Sequence, residues 1–98
     1  MEEKEKNEAI FMQLIMGLQS SAWMLLGKVA NPMTGKVEKN LEAAKGTIDT
    51  LIMLKEKTKG NLTKVEEDYI NNTINQLQLN YVEEQDKKEE NVKEADKK

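Results

Sequence analysis

The side chains in this sequence that are able to do chemistry are lysines and carboxylates, and little else. All fifteen Lys+Arg positions are lysine, eighteen positions are Asp or Glu, and neither His nor Cys occurs. Without His the chain lacks the commonest general base at neutral pH and the commonest metal ligand. Without Cys it has no thiolate nucleophile, no disulfide and no Cys-based zinc or iron–sulfur site. Without Arg it has no planar fork for a bidentate phosphate or carboxylate clamp. No cofactor, no metal and no catalytic residue is therefore expected, and binding is favoured over catalysis.

The constellations that remain fall on two polar loops. Residues 30–37, AlaAsnProMetThrGlyLysVal, approach the phosphate-loop pattern A/G-x-x-x-x-G-K-S/T. Val37 stands where a hydroxyl would hold magnesium, and the segment follows a helix where a nucleotide fold supplies a strand. Plain anion or small-ligand binding demands less. Its candidate residues are Asn31, Pro32, Thr34, Gly35 and Lys36 in the first loop, and Lys57, Thr58, Gly60 and Asn61 in the second, which spans 57–63. Solvated lysines near loop ends are the plainer explanation of Lys36, Lys39, Lys59 and Lys64. The carboxylates Glu38, Glu42, Asp49, Glu66, Glu67 and Asp68 fall on polar helix faces. Asp49, beside Ile48 and the Leu51-Ile52 pair, suits a salt bridge or an interhelical hydrogen bond better than acid–base work.

Charge divides the chain. Residues 1–8 carry four acids and two lysines, and residues 83–98 carry seven acids and five lysines, so each end is −2. The middle, with seven acids and eight lysines, is +1. Acidic ends on a near-neutral body leave no footprint for nucleic acid. The pattern predicts an acidic extension at 1–8, one helical domain at 9–82 and a disordered charged tail at 83–98. The acidic N-terminus does not read as a targeting signal, which points to the cytoplasm. Ile10–Leu26 reaches only the short end of membrane-spanning length and is broken by Gln13, Gln19, Ser20 and Ser21.

Three helices must position these groups. The first is predicted over about Asn7–Leu26, with Asn7 as N-cap and Gly27 closing it. Apart from Gln19 and a polar stripe of Gln13, Gly17, Ser20 and Ser21, its circumference is apolar. The second runs from about Val37 to Lys57, after the break at Asn31-Pro32, along the stripe Val37, Leu41, Ala44, Ile48, Leu51. Gly46 suggests a close crossing. Thr63-Lys64-Val65-Glu66 reads as a capping box opening the third, which carries Ile70, Ile74, Leu77 and Tyr81 at spacings of four, three and four.

No strand pattern occurs, so the expected fold is all-α, three helices in an up-down-up arrangement. Helices two and three each offer one stripe, whereas helix one offers most of its surface. Leaving its large apolar residues in water forfeits roughly 1.5–3 kcal/mol each. Self-association is therefore expected, as a two-fold dimer with Phe11, Leu14, Ile15, Leu18, Ala22, Trp23 and Leu25 at the interface. An unidentified protein partner is a variant of that reading. The alternatives are a ligand-binding or enzymatic domain using the two loops, and peripheral membrane attachment through helix one.

Asn31-Pro-Met-Thr-Gly-Lys36, Asn40-Leu41, Ala44-Lys45, Thr47-Ile-Asp49, Glu56-Lys-Thr-Lys-Gly-Asn-Leu-Thr63 and Tyr81-Val82 together resemble bacterial domain-of-unknown-function family 1844. The resemblance covers about Phe11–Val82, and the KTKGNLT segment is its most specific part. It implies a short, bacterial, cytoplasmic helical protein with no assigned activity, and it supplies no catalytic residues.

Overall fold

The computed structural model describes residues 2–96, with side chains through Lys87. It contains three helices, α1 (Glu3–Leu25), α2 (Leu41–Lys57) and α3 (Lys64–Asp96), and among the described residues no strand. Each helix packs on the other two. The chain turns back at each loop, so α1 and α3 run the same way and α2 runs against them.

The first helix begins earlier than its apolar run. Glu2 is the N-cap without a side-chain cap bond, and Asn7 lies inside the helix. Glu3 and Glu5 in the first turn face the positive end of the helix dipole, which supports a start that no Asn or Ser caps. Gly27 ends the helix as expected, at φ 81°. Lys28 N–H donates to Trp23 O and Gly27 N–H to Met24 O, both at 3.0 Å, which is the Schellman closure.

The second helix begins later than predicted. Val37 is exposed and outside the helix, and the N-cap is Asn40, whose Oδ1 accepts from Ala43 N at 3.1 Å. An Asn cap is worth about 1 kcal/mol, and β-branched Val37 offers nothing comparable. Asn40 N–H also donates to Leu25 O at 2.8 Å, which pins the end of α1 to the start of α2. At the other end Thr58 and Gly60, at φ 86°, turn the chain into α3. The capping box forms in both directions: Glu66 N–H donates to Thr63 Oγ1 at 3.1 Å, and Thr63 N–H to Glu66 Oε1 at 2.8 Å. Glu66 is thereby buried, not on a polar face as expected.

Three residues from each helix region fill the core: Ile15, Ala22 and Leu26; Ala44, Ile48 and Leu51; Ile70, Ile74 and Leu77. The 4–3 stripes of α2 and α3 supply their six as predicted. Gly46 marks no close crossing, since nothing lies within 4 Å of where its Cβ would be. α3 is longer than its apolar stripe. It passes Tyr81 and Val82, where the charged tail is expected to begin, and continues to Asp96. Through Lys87 its side chains are placed, and Glu84 is buried. The rest of the expected tail lies outside the residues with described side chains.

Candidate interaction surface

The two loops lie at opposite ends of α2, 17 residues or about 25 Å apart, so one protomer does not join them into one site. The first loop is occupied with itself. Asn31 Oδ1 accepts from Met33 N at 2.8 Å, and Asn31 N–H donates to Lys36 O at 2.8 Å. Gly35, at φ 71°, donates its N–H to Asn31 O at 2.7 Å. Thr34 Oγ1 accepts from Lys36 N at 3.3 Å and donates to Glu38 Oε1 at 3.2 Å, while Asn31 Nδ2 donates to Glu38 Oε2 at 3.3 Å. Pro32 is exposed. The polar atoms nominated for a ligand thus organise the turn.

The second loop behaves similarly. Thr58 Oγ1 donates to Leu54 O at 2.6 Å, and Asn61 N–H donates to Thr58 O at 2.8 Å. A cavity of about 380 Å³ beside it is lined by Lys55, Glu56, Lys59, Gly60, Leu62 and Glu67. Of the nominated residues only Gly60 borders it. Lys57, the last residue of α2, is exposed, and Asp49 is exposed with no ion pair or side-chain hydrogen bond among the described residues.

A polar cluster at the first loop's end has no local signature in the sequence. Glu84 Oε1 meets Lys28 Nζ at 2.9 Å and Lys87 Nζ at 3.4 Å, and Glu84 Oε2 meets Lys39 Nζ at 2.8 Å. The hydrogen bonds from Lys39 and then Lys28 hold the carboxyl down at about pKa 2, against the opposing effect of burial. The cluster fastens the far part of α3 to both sides of the α1–α2 loop. One longer-range signal points to it: Glu84 continues the Ile70, Ile74, Leu77, Tyr81 row by a further step of three. At the opposite end Lys64 pairs with Asp68 at 3.0 Å, which raises the lysine's pKa.

A further feature is the outer side of α1, one of several places where large apolar side chains are exposed, Met33, Leu79 and Val82 among them. Two of the seven expected interface residues, Ile15 and Ala22, are fully buried within the chain and cannot meet a second copy. They lie at the centre of the arc that α2 and α3 cover together. Phe11, Leu18, Trp23 and Leu25 are half-buried at its edges, packed against the core. Leu14 stays 48% exposed, joined by Ile10 at 52% and Met16 at 54%, neither of which is among the seven. Trp23 leans on the core rather than standing free, while Tyr69 Oη donates to Gln19 Oε1 at 3.1 Å and ties α1 to α3. Among the described residues no helix is long and apolar enough to cross a membrane.

The family model described as a domain of unknown function, DUF1844, matches residues 8–83. The chain belongs to that family. No curated protein and no solved structure matches it.

Proposed function

We propose that this member of domain-of-unknown-function family 1844 is a non-catalytic protein-interaction module that works as a homodimer, with the outer side of α1 as its contact surface. The observation that carries this reading is the uncovered row on α1, where Ile10 and Leu14 are each about half exposed although α2 and α3 already occupy the opposite side. Half-exposed aliphatic side chains leave on the order of 1 kcal/mol each unclaimed, and a second copy claims each of them twice. The loops support the same choice. Their polar atoms are spent on closing turns and capping helices.

Sedimentation equilibrium at high micromolar concentration tests the proposal. The wild-type chain is expected to sediment as a dimer, and Ile10→Ser/Leu14→Ser as a monomer with unchanged far-UV helicity. A wild-type monomer at several hundred micromolar refutes it. Flotation of the wild type with liposomes, without dimerisation, assigns the same side of α1 to a lipid surface instead.

A further inference from the structure

We propose that α3 has a permanent part ending at Tyr81 and a conditional extension, residues 82–96, which stays docked and helical only while Lys28 and Lys39 clasp Glu84. The extension makes up 15 of the 33 residues of α3. Its behaviour is independent of whether the chain self-associates.

The two parts are held by different forces. In the permanent part Ile70, Ile74 and Leu77 are buried, and Tyr81 packs against the same core. Past Leu77, Glu84 is the one buried residue among those with described side chains, while Leu79 and Val82 are exposed. From Glu83 to Asp96 the sequence supplies only Val92 and Ala95 as apolar residues. A charged helical segment of this length, with almost nothing apolar to bury, is marginal in water by itself. A contact from outside the segment has to sustain it. Among the described side chains the clasp provides that contact.

The clasp crosses between elements. Lys28 stands just past the end of α1 and Lys39 just before α2, and their ammonium groups reach Glu84 at 2.9 Å and 2.8 Å. Gly27 leaves room for the second reach. A Cβ there would stand 3.3–3.4 Å from Cβ, Cγ and Cδ of Lys39, so the lysine stem lies across the glycine on its way to Glu84. Lys87 also approaches Glu84, at 3.4 Å, but it sits one turn along α3 itself. That pair moves with the extension and docks it to nothing. Lys28 and Lys39 are part-exposed, so dissolved ions screen their attraction to Glu84, whereas salt leaves an apolar seam intact. Screening both lysines, or neutralising either, therefore shortens α3 from its far end and leaves the nine core residues packed.

Residue-resolved hydrogen exchange on the full chain tests this in about 10 mM and about 1 M salt, between which the Debye length falls from roughly 30 to 3 Å. In wild type at low salt the amides of residues 82–87 are expected to be protected, less strongly than those of Ile70, Ile74 and Leu77. High salt, Glu84→Gln and Lys39→Gln should each accelerate exchange at 82–87 by roughly 5–30-fold while the core amides stay protected. Lys87→Gln should change it little. Protection at 82–87 that equals the core's and falls in step with it makes α3 one cooperative unit and overturns the proposal. Protection there that survives both high salt and Glu84→Gln also overturns it, as does a wild type already unprotected at low salt. Acceleration by Lys87→Gln equal to that by Lys39→Gln assigns the effect to helix propensity within α3 and overturns the clasp.

Discussion

Replacing Glu84 with Gln keeps the side chain's shape and removes its charge, which isolates the ionic part of the cluster that holds α3 to the α1–α2 loop. The carboxyl lies 2.9 Å from Lys28, 2.8 Å from Lys39 and 3.4 Å from Lys87, and its pKa falls from 4.5 to about 2. A shift of that size corresponds to about 3–4 kcal/mol at most. The Lys28, Lys39 and Lys87 side chains are 30%, 40% and 60% exposed, so solvent screens part of this, leaving about 1–2 kcal/mol. For a domain of this size each kcal/mol moves Tm by roughly 4–8 °C. Because the folded pKa is depressed, the stabilisation is complete above about pH 5 and disappears as pH falls from 4.5 toward 2. Thermal melts of wild type and Glu84→Gln, followed by far-UV circular dichroism, should therefore differ by roughly 4–16 °C at pH 7 and converge near pH 2. A gap that persists unchanged at pH 2 refutes the ionic account and leaves a steric one. Equal Tm at pH 7 refutes a net stabilising contribution of the Glu84 charge.

Two further predictions concern single residues in the helices and their caps. Thr63→Ala removes the acceptor for Glu66 N–H and unfastens the reciprocal bond, so it should cost about 1 kcal/mol in urea denaturation with an unchanged m-value. Gly46→Ala places a methyl where nothing lies within 4 Å and should raise stability by roughly 0.5–1 kcal/mol; a loss would mean that a close crossing exists after all.

The parts of the fold legible in the sequence are those set by local periodicity. Ala44, Ile48 and Leu51, then Ile70, Ile74 and Leu77, are buried as their 4–3 spacing requires. The Thr63/Glu66 capping box is equally local, as residues three apart determine both of its bonds. Helix starts are less legible because several residues compete for the cap. Asn40 prevails over Val37 by supplying a side-chain acceptor for Ala43 N–H, and the first helix reaches back to Glu3 because acids near an N-terminus stabilise helix without a cap. The loops mislead for a related reason. Asn, Thr, Gly and Lys are the residues that bind anions and also the residues that close turns, and only three-dimensional bonding distinguishes the two uses.

Glu84 shows a different limit. Averaged over residues 83–98, composition is that of a solvated tail, yet one carboxylate in that stretch falls on the buried row of α3 opposite Lys28 and Lys39, 56 and 45 positions away in sequence. Composition registers how many charges a segment carries and is blind to which of them a distant loop will meet. The same distinction governs α1. Counting apolar residues around its circumference establishes an excess, but assigns Ile15 and Ala22 to a second copy when the chain's own helices bury them. Two packed neighbours cover an arc centred on Ile15, so the excess that the whole circumference suggests shrinks to Ile10, Leu14 and Met16, each about half exposed.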